Sequence, residues 1–247
     1  MPVTRAGGCA GSAPRAGRAL TFVDRRDAGR QLAAILSRAR PFGIGEPDNQ
    51  RPVVLGMARG GVPVAFEVAA VLRAPLEVVV VRKLGHPRQP ELGLGAIAED
   101  GVRLVNDALV RQLEVSEDVL DAVVARQTLE LDRRLAVYRG DRPPVSVAGR
   151  TAIVVDDGLA TGFTARAAIE VMRRRAAARV VLGVPVAPPE ALEALRHVAD
   201  DVACVETTAR FFGLSEWYED FAQVGDDQVA ALLALAASRP SGPDGAA

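Results

Sequence analysis

Residues 153–164 read IVVDDGLATGFT. Consecutive apolar and β-branched positions describe a strand buried on both faces, as in a parallel sheet. That strand runs directly into two adjacent aspartates, Asp156 and Asp157, which repel each other, and no Arg or Lys follows them in sequence before Arg166. The pattern therefore predicts a compensating group from outside the chain. After Asp157, small residues let the backbone curl tightly, Thr161 and Thr164 supply hydroxyls, and the segment opens into a helix whose first N–H groups attract phosphate. Ionised carboxylates only accept hydrogen bonds, so the acidic pair suits neighbouring hydroxyls or a hydrated Mg²⁺. A ligand with a phosphate at one end and a sugar diol beside it satisfies both halves. A helix-capping Asp in an ordinary turn is the plainer alternative, but the apolar run, the acid pair and T-G-x-T together favour phosphate.

Outward from this stretch the chain alternates strands and helices. Residues 24–39 begin with a capping Asp24 and carry Leu32, Ile35 and Leu36 on one face, which predicts an amphipathic helix. A short apolar strand over 52–57 leads through MARGG (57–61) into a helix with Pro63 in its first turn. A strand over 76–81 precedes the polar, Gly- and Pro-rich loop RKLGHPRQPELGLG (82–95), and GAIAEDGVRLVN (95–106) predicts a hairpin turning at Asp100 and Gly101. Residues 107–139 lack glycine and proline and are helically periodic, with a break at Val115 and Ser116; they either cover the site or form a dimer interface. Strands over 151–156, 180–187 and 202–206 with helices over 163–177 and 188–198 complete an α/β fold, a mainly parallel sheet with helices on both faces. Residues 21–238 read as one domain between disordered tails at 1–20 and 239–247.

Composition narrows the function classes. With 247 residues, 49% of them hydrophobic, the chain can bury a full core. No apolar run approaches the roughly 20 uncharged residues of a membrane span, and the first 20 residues lack the apolar region of a secretory signal, so a soluble, cytoplasmic protein is expected. A formal net charge of −1 offers no footprint for nucleic acid or a membrane surface. Cys9 and Cys204, like His86 and His197, are too few and too scattered for a disulfide framework or a zinc site. Of 30 basic residues only one, Lys83, is a lysine. A compact ammonium at one position in an arginine-rich chain invites a specific role.

The stretch 153–164 resembles the phosphoribosyl-diphosphate signature of type I phosphoribosyltransferases: apolar residues, two acids, small residues and T-G-x-T. That resemblance implies a type I phosphoribosyltransferase fold with a flexible hairpin and a hood, a 5-phosphoribosyl 1-diphosphate (PRPP) substrate, and Mg²⁺ bridging ribose and pyrophosphate oxygens. By the same resemblance Asp156 and Asp157 hold the ribose and bind Mg²⁺ through its hydroxyls or water, while Ala160, Thr161, Gly162, Phe163 and Thr164 wrap the 5-phosphate. MARGG stands where the family has its pyrophosphate loop, which gives Arg59, Gly60 and Gly61 that role. Lys83, with Arg82 as a weaker companion, stands where the family carries a cation near the pyrophosphate; Arg59 and Lys83 are the catalytic candidates. His86 reads as a solvated loop residue.

The segments VRKLGHPRQPELGLGAIAEDG and WYEDF narrow the likeness, over about residues 22–237, to a group of phosphoribosyltransferases with no assigned substrate. Six-oxopurine enzymes carry an acid just before T-G, where Ala160 stands here. The implied acceptor is nitrogenous and unidentified, and a ligand-sensing regulator or a hydrolase on the same fold are the alternatives. FFGLSEWYEDF (211–221) holds five of the ten aromatic residues. It is either a core seam or subunit contact, or a base-stacking hood within 207–225 that uses Trp217 and Tyr218.

Overall fold

The computed structural model describes residues 22–38, 51–211 and 213–239. Helix α1 (Arg25–Arg38) starts as its sequence predicts, with Asp24 accepting a hydrogen bond from the Asp27 N–H at 2.7 Å. It is followed by strand β1 (Val53–Met57), helix α2 (Gly61–Leu72) and strand β2 (Leu76–Val79). Three antiparallel strands come next, β3 (Val81–His86), β4 (Gln89–Ala98) and β5 (Val102–Val105), then helices α3 (Asp107–Gln112) and α4 (Glu117–Arg139). Strand β6 (Thr151–Val155), α5 (Phe163–Arg174), β7 (Arg179–Ala187), α6 (Pro189–Arg196) and β8 (Asp201–Thr207) restore the alternation, and a 3-10 turn (Leu214–Trp217) precedes α7 (Asp226–Ala237).

Five strands form one parallel sheet in the order β2-β1-β6-β7-β8. Alternate residues feed opposite faces. Val54, Ile153, Val155 and Val181 join one core beneath α1, α2, α4 and α7. Val53, Leu55, Val154 and Leu182 join the other beneath α5 and α6. The expected α/β architecture is thus present.

Three local readings change. The apolar run 76–81 is not one strand: Val80 leaves the parallel sheet, its N–H donating to Glu99 Oε1 at 2.8 Å, and Val81 begins the second sheet β3-β4-β5. Residues 82–95, read as a loop, are mostly paired strand, because the β3–β4 hairpin is held by backbone bonds that demand no apolar alternation of its exposed arms. Helix α7 was not anticipated, and it buries Val229, Leu232 and Leu233. The break at Val115 and Ser116 stands as read, separating α3 from α4. The tails assigned to 1–20 and 239–247 lie outside the described residues apart from Arg239, whose guanidinium sits 4.1 Å from the Phe66 ring centre.

At the bend between the sheets lies a buried ionic network. Arg139 from α4 bonds both Glu77 and Glu99, whose side chains are 0% and 2% exposed, and Arg175 also bonds Glu99. The same carboxylates also accept backbone N–H groups, Glu77 those of Val78 and Val145 and Glu99 that of Val80. Pairing of this kind is what lets charges remain in a core, and among the described residues only Arg175 Nη1 of this network is buried without a partner.

Candidate functional site

β1 and β6 are adjacent and parallel, with Gly56 opposite Val155, so the loops at their carboxyl ends meet. Ligands of open parallel sheets bind at such strand ends. The loops touch closely: a methyl group on Gly60 would lie 2.0 Å from Asp157 Oδ2, and one on Gly61 would lie 2.5 Å from the Val155 carbonyl oxygen. Only glycine fits at either position without displacing the acidic turn. The Ala58–Arg59 peptide bond is cis. Helices α2 and α5 both begin at this end of the sheet, at Gly61 and Phe163, and among the described residues no side chain caps either one.

The acidic pair is held from three sides. Arg25, the first residue of α1, donates from Nε to Asp157 Oδ2 at 2.9 Å and from Nη1 to the Ala222 carbonyl at 2.8 Å. Its guanidinium also lies 3.8 Å from the Phe221 ring centre. The Asp157 N–H donates to Asp156 Oδ1 at 2.9 Å, and the Tyr218 hydroxyl donates to the Asp157 carbonyl at 2.6 Å. Burial first, and then the Asp157 charge, holds the Asp156 carboxyl well above the usual carboxylate range. The expectation that compensation comes only from outside the chain therefore needs correcting, since Arg25 neutralises half of the pair. Arg25 lies 132 positions before Asp157, and no local pattern marks it.

Asp157 and Gly60 line a cavity of about 310 Å³ together with Arg25, Arg59, Phe221 and Gln223. The turn 160–164 lies beyond this lining. Leu159 anchors it, buried and bonded through its N–H to the Val186 carbonyl at 2.9 Å. Ala160 and Thr161 are exposed, Phe163 and Thr164 are half-buried, and Gly162 takes φ = 77°, a conformation natural to glycine, just before α5.

The cationic candidates divide. Arg59 Nη1 faces Asp226 Oδ1 of α7 at 3.8 Å. Arg82 donates to Gln127 Oε1 of α4 at 2.9 Å. Its guanidinium is lowered from its ordinary pKa, mainly by burial and next by Arg134, with Arg59 also contributing. Lys83 is not brought to this group: strand alternation turns it to the other face of β3, opposite Ala96, where its ammonium donates to the Glu91 carbonyl within the hairpin. His86, at the hairpin turn, accepts the Arg88 N–H through Nδ1 at 3.2 Å.

Trp217 and Tyr218 are 7% and 5% exposed and pack with Phe22 and Val186. The core-seam alternative describes them, because a buried ring has no free face for a base. Phe221, half-buried beside the cavity, is the aromatic residue that sequence reasoning passed over. Its only signal was membership of the 211–221 cluster. Among the described residues no group of three or more His, Cys, Asp or Glu could hold a metal ion. Two carboxylates are nonetheless a fitting donor set for Mg²⁺, which commonly takes one or two from protein and the rest from water and substrate phosphates.

Three comparisons bear on this cleft. A family model described as phosphoribosyl transferase domain matches residues 27–220. Two curated relatives, from two strains of Mycobacterium tuberculosis and each named "Putative phosphoribosyl transferase", are 49% identical over 212 residues. The match covers 86% of this chain and 46% of theirs, so the chain spans about half the length of the curated relatives it matches. A crystal structure of a Thermus thermophilus protein is similar at a TM-score of 0.69 and 40% identity, covering 86% of this chain and 97% of that one. No helix among the described residues is long and apolar enough to cross a membrane.

Proposed function

Because the chain belongs to the phosphoribosyl transferase family, we propose that it binds PRPP with Mg²⁺ and transfers phosphoribose to a nitrogenous acceptor, releasing pyrophosphate. One observation carries this reading: Gly60 of the RGG loop lies directly against the Asp157 carboxylate, so a pyrophosphate loop and a ribose-holding acid pair would share one cleft. Asp156 and Asp157 accept the ribose hydroxyls, and the backbone of Ala160, Thr161, Gly162, Phe163 and Thr164 at the start of α5 cradles the 5-phosphate. Arg59, Gly60 and Gly61 approach the pyrophosphate, with Arg82 beside them. The Lys83 ammonium is engaged by Glu91 in its own hairpin, so its contact with the leaving group requires that hairpin to fold over the cleft. Asp156 and Asp157 would hold Mg²⁺, through the ribose hydroxyls or water, and the bound ion would supply positive charge for the leaving pyrophosphate.

Carboxylates beside the ribose favour the positive charge that develops on its ring, and guanidiniums at the other end stabilise the leaving diphosphate, so no covalent nucleophile is needed. The acceptor enters the cavity beside Phe221 and Gln223. Ala160 supplies no acid before Thr161, which argues against a 6-oxopurine bound in that manner. A cytoplasmic setting belongs to the same proposal.

The test is incubation with labelled PRPP, Mg²⁺ and pooled nitrogenous metabolites. A Mg²⁺-dependent labelled adduct formed together with pyrophosphate supports transfer. Binding with no adduct favours a sensor, and ribose 5-phosphate as sole product favours a hydrolase; either result rejects transfer.

A further inference from the structure

The inward face of α4 carries Leu120, Val123, Gln127, Leu131, Arg134 and Tyr138 at intervals of three and four, an apolar stripe interrupted at Gln127 and Arg134. Arg134 is 9% exposed. A guanidinium in such a seam is costly unless its charge is met. Its Nε donates to Glu130 at 2.8 Å, but Glu130 is shared with Arg133 at 2.8 and 3.0 Å. Arg133 also bonds Asp226 at 2.7 Å, and Asp226 in turn accepts the Tyr138 hydroxyl at 2.5 Å and faces Arg59 at 3.8 Å. Arg82 reaches the same stripe through Gln127, one turn before Glu130. Four guanidiniums thus share two carboxylates among the described residues, leaving two formal positive charges beside the RGG loop.

Arg133 is half-exposed, so water meets its charge, and the excess falls on buried Arg134 and half-buried Arg82. We propose that α4 brings Arg134 to Arg82 and Arg59 to complete a site for a multiply charged phosphate anion, the diphosphate end of the substrate. Helix α4, the larger part of segment 107–139, then belongs to the binding site as well as to the core. The lowered pKa of Arg82, in which Arg134 and Arg59 both take part, agrees that the three cations share one field. A diphosphate carries the negative charge that the two shared carboxylates lack, and guanidinium forks match its oxygens. This inference rests on the proposed transferase reading.

Its test uses inorganic pyrophosphate and ribose 5-phosphate as separate calorimetric probes. Arg134→Gln and Arg82→Gln should each weaken pyrophosphate about tenfold or more, the range for a lost hydrogen bond to a charged group, and leave ribose 5-phosphate affinity unchanged. Arg103→Gln removes a solvent-exposed guanidinium that pairs with Asp121 and should change neither. If Arg134→Gln does not fold, Arg134→Lys, which keeps the charge but loses the planar fork, decides. Pyrophosphate affinity that survives in a folded Arg134 variant, or that falls as far in Arg103→Gln, overturns the inference. A parent protein that binds ribose 5-phosphate while its pyrophosphate affinity ignores both variants rejects the α4 site alone. One that binds neither probe rejects the transferase reading with it.

Discussion

Gly60→Ala tests the closeness of the two loops and has a sign that can be worked out. Gly60 sits at φ −61° and ψ −31°, which any L residue accepts. Taken alone, the added methyl should stabilise by about 0.4–1 kcal/mol by restricting the unfolded chain. That methyl would stand 2.0 Å from Asp157 Oδ2 and 2.6 Å from Cγ, so the short carboxylate has to rotate away from Arg25. An off-rotamer side chain costs about 0.5–1.5 kcal/mol, and a lost charge-assisted hydrogen bond costs about 1.5–3 kcal/mol. The clash wins, with a net destabilisation of about 1–4 kcal/mol once the unfolded-chain term is subtracted. Urea unfolding measures it, best as a double-mutant cycle with Asp157→Ala. In the Asp157→Ala background the obstacle is gone and Gly60→Ala should stabilise by about 0.4–1 kcal/mol. Equal destabilisation in both backgrounds, or none in the parent, would refute the contact.

Other perturbations probe the surroundings of the site. Tyr218→Phe removes the donor to the buried Asp157 carbonyl and should lower stability by about 1–3 kcal/mol in thermal unfolding; an unchanged melting temperature would show that the bond contributes nothing. Arg139→Met leaves Glu77 without its cation and Glu99 with Arg175 alone, and should destabilise by about 3–5 kcal/mol in a denaturant titration. A parent-like midpoint would reject the network as a clamp between the sheets. The Glu130 pKa is depressed from 4.5 to about 2 by its hydrogen bond to Arg133 and, against the opposing effect of burial, by Arg134. Its contribution is therefore full above the unfolded value and lost as pH falls through the folded one. The stability gap between the parent and Glu130→Gln, about 1 kcal/mol near neutral pH, should close on acidification toward about 2; a gap independent of pH would contradict the pairing.

The α/β alternation was legible because each parallel strand is a short apolar run beside an amphipathic helix, and the acidic turn was legible because Asp156, Asp157 and the small residues after them are contiguous. What escaped depends on contacts across the chain. LEVVVV reads as one strand because Val78 and Val80 are equally apolar, yet the Glu99 carboxylate takes the Val80 N–H and ends the parallel pairing there. Arg25 is one arginine among many until folding carries α1 over Asp157. Lys83 and Arg82 are neighbours in sequence, but strand alternation turns them to opposite faces. Trp217 and Tyr218 have the composition of a hood and the burial of a core. Arg134 looks like any helix-surface charge, and only packing of α4 against the hairpin and α7 turns it inward.

The most direct measurement is calorimetric titration of PRPP in the presence and absence of Mg²⁺, on the parent protein and on Asp156→Asn combined with Asp157→Asn. The proposed site predicts saturable binding by the parent that depends on Mg²⁺, and no detectable binding by a double variant that still melts cooperatively. If the folded double variant binds PRPP with the affinity of the parent, the acid pair does not hold the ribose and the central claim fails.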